Sequence, residues 1–173
     1  MRLFIAINFN DETRTRLLTL RNELRLRSER GNFTAPGNLH LTLVFLGECN
    51  ERQATSAREA LDGLVFEHFD VRIDRVGRFR RSGGDIWWAG VQDNTVLSNL
   101  YHTLSSALAA EGFAVEKREY SPHITLGREV VADCLPWRIE PFGETIHSVD
   151  LMRSERIQGK LIYTPIYRRE SKG

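Results

Sequence analysis

Apolar residues recur along this chain at two spacings, every second residue in some stretches and every third or fourth in others, and the changes between them predict the elements. Residues 2–8 are apolar in the middle, as a buried central strand is. Asn10 or Asp11 caps a helix running to about Arg27, with Leu17, Leu20 and Leu24 on one face and Arg14, Arg21 and Arg25 on a solvated one. Ser28 to Asn38 holds Gly31, Pro36 and Gly37 and reads as a loop; residues 39–46 read as a strand that stops at Gly47. From Glu51 to Leu64, the residues Ala54, Ala57, Leu61 and Leu64 share one side of a second helix. Val71 to Val76 alternates cleanly, and the basic turn Gly77 to Gly84 joins it in a hairpin to a strand at 85–91. Asp93 or Asn94 caps a third helix over about 94–111, striped by Leu97, Leu100, Tyr101, Leu104 and Leu108 and ended by Gly112. Residues 122–128 form a strand and 136–141, between two prolines, are irregular. Residues 144–153 and 159–168 close the chain as an antiparallel pair turned near Gln158-Gly159.

The order β-α-β-α-β-β-α-β-β-β, rich in strands and short links, predicts an α+β protein with antiparallel sheets. At 173 residues it is one domain or two closely joined lobes.

Two strands carry the same polar face. His40-Leu41-Thr42-Leu43 and His123-Ile124-Thr125-Leu126 each put an imidazole and a hydroxyl on one side and two aliphatics on the other. They lie 83 residues apart, close to half the chain. A bilobed, pseudo-symmetric duplication, each lobe an antiparallel sheet with its helices outside, would bring the two histidine strands face to face. His68, His102 and His147 lack the following threonine and read as surface or structural residues.

A facing pair of imidazoles supplies a general acid and a general base near neutral pH, since the ordinary histidine pKa is about 6.5. Thr42 and Thr125 offer hydroxyls to an anionic oxygen between them, and Arg128 would add charge where a phosphorane accumulates it. That is equipment for in-line attack on a phosphodiester without a metal. Strict alternation puts Arg128 on the face away from His123, so its part requires a bulge or the strand end to re-aim it. The metal-binding spacings HExxH and His-x-His and the Cys/His clusters are absent, so neither a metal nor another cofactor is expected. A G-x-S-x-G elbow is missing too.

Composition narrows the partners. Hydrophobic residues make up 41% and charged residues 27%, with a net charge of +1, which argues against binding long nucleic acid non-specifically and leaves small or terminal nucleic-acid substrates. Of 24 basic residues 21 are arginines, suited to planar contacts with phosphate. No apolar run is long enough to span a membrane, and Met1–Ile7 lacks the cleavage site of a signal peptide. Cys49 and Cys134 read as free thiols of a reducing, cytoplasmic compartment. Phe9, Phe45, Trp87 and Tyr120 are candidates to stack on a base.

The segments Asn38–Gly47 and Ser121–Arg128 closely resemble the paired signatures of the 2H phosphoesterase superfamily, and within it the RNA 2′,3′-cyclic phosphodiesterases, also called bacterial 2′-5′ RNA ligases. Arg2–Ile7, Trp87–Val91, Leu151–Ser154 and Tyr163-Thr164 fit the same pattern. The resemblance implies a bilobed fold with the active site between lobes. It also implies that His40 protonates the departing 3′ oxygen, His123 activates water, and Thr42, Thr125 and Arg128 hold the phosphate oxygens. The substrates would be RNA ends or small cyclic nucleotides, with reverse 2′-5′ ligation at the same site and no obligatory protein partner, the chain acting as a monomer. A non-catalytic module that binds RNA ends in the same cleft is the alternative.

Overall fold

Asn10, Asn50 and Asn94 each turn a side-chain oxygen onto the third amide of the helix that follows, and these three caps set where the helices begin. In the computed structural model, which describes residues 1–116 and 118–173, the helices are α1 (Asp11–Leu26), α2 (Glu51–Asp62) and α3 (Thr95–Ala110). The strands are β1 (Arg2–Ile7), β2 (Ser28–Phe33), β3 (Leu41–Glu48), β4 (Phe69–Phe79), β5 (Asp85–Val91), β6 (His123–Ala132), β7 (Trp137–Ile146), β8 (Ser148–Ile157) and β9 (Lys160–Glu170).

The strands form two wholly antiparallel sheets, one ordered β3-β1-β8-β9 and the other β2-β6-β5-β4-β7. The chain passes repeatedly from one to the other, so neither sheet is a continuous stretch of sequence. The helices cross as well. α1 packs against β2, β6 and β7 of the five-stranded sheet, while α2 and α3 pack on one another and on β9 and β3 of the four-stranded sheet. The result is an α+β fold of two interleaved lobes with a pseudo-symmetric relation between them.

Alternation in β1 divides its two faces. Leu3, Ile5 and Ile7 join the main apolar cluster, which continues into Val71, Trp87 and Ile124 of the other sheet. Each such fully buried aliphatic contributes about 1.5–3 kcal/mol. Phe4 and Ala6 face the other way and form a small separate cluster with Met152 and Tyr163. His40 lies against that second face, next to Phe4 and Tyr163.

Two expectations are corrected. Ser28–Phe33, read as loop, is strand β2: it forms an edge of the five-stranded sheet, and its polar sequence fits a strand with one neighbour and much exposure. Residues 137–141, read as irregular, begin β7, the opposite edge. Pro141 is tolerated because the pairing with β4 slips there: Ile73 faces Phe142 and Arg75 faces Arg138, leaving three β7 residues opposite one. Residues 144–146 consequently belong to β7, and the closing hairpin is β8 with β9. It turns at Gln158-Gly159 as the sequence predicts, with φ of 52° and 78°. Helix α2 ends at Asp62, two residues earlier than its periodicity suggests.

Candidate active site

His40 stands one residue before β3 and His123 opens β6, and these two strands approach each other from different sheets. Each imidazole is held in the same way. Nδ1 of His40 donates to the Asn38 carbonyl at 2.7 Å, and Nδ1 of His123 donates to the Ser121 carbonyl at 2.7 Å. A carbonyl only accepts, so both rings keep the proton on Nδ1 and leave Nε2 as the basic nitrogen. Asn38 is itself anchored, its side-chain amide donating to the Leu161 carbonyl of β9.

Each ring also lies in an aromatic cradle. Tyr163 meets His40 edge-on with centroids 5.1 Å apart, and Phe4 lies 5.0 Å away at 39°. On the other side Phe79 meets His123 edge-on at 5.0 Å, with Trp88 at 6.2 Å. Trp88 can reach its place because it lies across Gly77 of the neighbouring strand, where a Cβ would come within 2.3 Å of the indole. Sequence reasoning missed Phe4, Phe79 and Trp88 as site walls. Phe4 was findable, since it sits out of phase with the core residues Leu3 and Ile5.

Burial lowers the pKa of both histidines, by disfavouring the charged form, and the nearby Arg128 guanidinium lowers both further. The Nδ1 bonds to carbonyls oppose this. His40 also feels His123. The Tyr163 hydroxyl is raised by burial and lowered by Arg128. Arg128 of one lobe thus bears on both imidazoles and on a tyrosine of the other lobe.

Arg128 escapes the alternation through a bulge. Opposite β5, Trp87 pairs with Gly127 and Asp85 with Val130, so β6 has one residue too many, and Glu129 takes φ +52°. Val130 then returns to the core while Arg128 stays exposed.

The threonines differ. Thr42 Oγ1 lies 2.8 Å from His40 Nε2, so the neutral ring accepts its hydroxyl. Thr125 has its carbonyl engaged by Thr34 Oγ1 at 2.9 Å. Among the four aromatics named from sequence, only Phe45 offers a free face: it is 68% exposed and 6.3 Å from Phe4. Trp87 is 0% and Phe9 5% exposed, both in the core, so base stacking by either is withdrawn. Tyr120 is withdrawn as well, because its ring is stacked on Tyr101 at 4.2 Å. Its hydroxyl donates to the Thr42 carbonyl at 3.0 Å, making it a strut between the two histidine segments.

Among the described residues no group of three or more His, Cys, Asp or Glu is placed to hold a metal ion, and no helix is long and apolar enough to cross a membrane. Both cysteines are unpaired, Cys49 in the interior.

The family described as LigT-like phosphoesterase matches residues 7–88. The chain is 34% identical over 131 residues to the RNA 2′,3′-cyclic phosphodiesterase of Thermotoga maritima, covering 74% of this chain and 70% of that one. It is 32% identical over 170 residues to the Escherichia coli K12 protein of the same name, covering 96% and 94%. The crystal structure of E. coli LigT complexed with 3′-AMP superposes with a TM-score of 0.85 at 27% identity, over 99% of this chain and 98% of that one.

Proposed function

The chain belongs to the LigT-like phosphoesterases of the 2H superfamily, and from that membership we propose that His40 and His123 hydrolyse RNA 2′,3′-cyclic phosphates between them. The observation that carries the reading is the matched pair of imidazoles, each fixed at Nδ1 and each under the potential of one arginine. A cyclic phosphate lodged there brings one negative charge, which offsets Arg128 and favours a proton on one ring.

His123 Nε2 takes a proton from water as its oxygen bonds to phosphorus. The P–O3′ bond breaks in line, and His40 Nε2 gives a proton to the departing 3′ oxygen. The product is a 2′-phosphomonoester, and solvent returns the two rings to their starting states. Arg128 and the threonine hydroxyls stabilise the equatorial oxygens as charge builds on them. Phe45 receives the base of the terminal nucleotide. With a 5′-hydroxyl in place of water as the attacking group, the same arrangement breaks the P–O3′ bond and joins the ends through a 2′-5′ bond. The two unpaired cysteines suit a reducing cytoplasm, and the site takes its residues from a single chain.

The test uses His40→Ala and His123→Ala with a panel of nucleoside 2′,3′-cyclic phosphates, following the phosphate's final position. Each variant should lose at least about 10²-fold in turnover. Wild-type turnover should survive a chelator. Unchanged rates in both variants would remove the mechanism; tight binding with no product in wild type would favour a binding module.

A further inference from the structure

Beside Tyr163 the face of the four-stranded sheet opens into a cavity of about 390 Å³ that the chemistry above does not use. Its size falls in the range of small-molecule sites and fits one nucleoside. Tyr163, Met152 and Pro165 form an apolar floor. The rim is polar: Asn8, Asn10, Arg14, His147, Arg168 and the carboxylate Glu144, which accepts from the Asn10 backbone N–H at 2.9 Å.

Several rim groups have unspent capacity among the described residues. Asn8 spends its amide nitrogen on Asp150, at 2.7 Å, and keeps its carbonyl oxygen free. Asn10 spends its oxygen capping α1 and keeps its amide nitrogen free. Together they present one acceptor and one donor, the complement of a base edge. Arg14, expected on a solvated face, instead lines the cavity; its Nε is buried without a partner, and no carboxylate pairs with its guanidinium. Arg168 is held rigid by the buried Asp150 through Nε at 2.7 Å and Nη2 at 3.1 Å.

Position decides which nucleoside. Across the sheet, Phe45 on β3 and Tyr163 on β9 flank Phe4 on β1, and His40 lies tilted on Phe4 and edge-on to Tyr163. One side takes the terminal base at Phe45, and the other leads into the cavity one ring's width past His40. We propose that this cavity seats the penultimate nucleotide of an RNA strand, with Arg14 on the phosphate that joins it to the terminal nucleotide and the Asn8 and Asn10 amides on its base. The enzyme is then built for an RNA end rather than a free cyclic nucleotide. The inference rests on the cyclic phosphodiesterase reading.

The test compares kcat/KM for adenosine 2′,3′-cyclic phosphate and for the dinucleotide ApA ending in the same cyclic phosphate. Wild type should prefer the dinucleotide by about tenfold or more, the worth of one charge-assisted hydrogen bond. Arg14→Gln, checked for native thermal unfolding, should bring that ratio towards one, and Arg14→Lys should keep part of it. A wild-type ratio near one, or a ratio that Arg14→Gln leaves unchanged, overturns the proposal. If wild type hydrolyses neither compound, the cyclic phosphodiesterase reading is what fails. Dissociation constants of the corresponding mono- and dinucleotide 2′-phosphates then decide the subsite by the same ratio.

Discussion

The bulge beside Arg128 packs against Gly84, in the turn between β4 and β5, and the prediction is that Gly84 aims Arg128 at the cleft. Gly84 has φ +135°, and a Cβ on it would stand 2.5 Å from the carbonyl carbon of Glu129 and 2.8 Å from its Cα. Glu129 is the bulge residue beside Arg128. In Gly84→Ala the strained backbone costs about 1–3 kcal/mol. Ordinary carbon contacts lie at about 3.5–4.0 Å, so the turn or the bulge must give way by about 1 Å. A shift of about 1 Å at a positioned group can cost about 10²-fold in rate. For comparison, Arg128→Ala removes a hydrogen bond to a charged group worth about 1.5–3 kcal/mol, roughly 10–150-fold in kcat/KM. The assay is a double-mutant cycle on kcat/KM with a dinucleotide cyclic phosphate, each variant also followed by thermal unfolding. If Gly84 acts by aiming Arg128, the double variant is no slower than Arg128→Ala alone. Losses that multiply would refute the reasoning, and so would full activity in Gly84→Ala.

Gly77→Ala drives a methyl into the indole of Trp88, which backs His123, and kcat should fall about tenfold or more; an unchanged kcat would show that the cradle does not position the ring. Both histidines are lowered from about 6.5 by burial and by Arg128, so the acid form needed for turnover is lost early. The alkaline limb of kcat/KM, which reports the free enzyme, should therefore have its midpoint below that value; a midpoint above it contradicts the electrostatics. Phe45→Ala should raise KM for the cyclic phosphate with little change in thermal unfolding, whereas Trp87→Ala, at a fully buried ring, should cost about 3–5 kcal/mol of stability by denaturant titration. Equal stability losses in the two variants would mean that Phe45 is structural.

The sequence made the site's chemistry legible and hid its walls. His-x-Thr on a strand announces its polar face by alternation alone, and Asn10 and Asn94, among the cap candidates read from sequence, mark two of the three helix starts. What alternation cannot reveal is how a strand breaks it. The bulge that frees Arg128 packs against Gly84, some 45 positions away, and a pairing slip of that kind leaves no local mark. Edge strands are hidden for a related reason. β2 and β7 have a partner on one side only, so polar residues and Pro141 are tolerated there and the apolar signal fades. The aromatics were misjudged because a strand tryptophan looks the same from sequence whichever way it faces. Trp87 turned to the core and Trp88 to His123.

Duplication by itself would yield two equal histidines, and equal histidines are a poor acid–base pair. The local differences here break the tie. His40 has Thr42 on its Nε2 and carries the added repulsion of His123, while both rings share the cost of burial and of Arg128. His123 in its charged form lowers the pKa of His40, so the pair takes a second proton less readily than a first. A bound phosphodiester supplies the single negative charge that makes the first proton favourable. One proton on two rings is the state that in-line hydrolysis requires, one nitrogen ready to give and the other ready to take. On this account Arg128 bears on the free enzyme as well as on the transition state, because its charge adds to burial in lowering the pKa of both rings before an anion arrives.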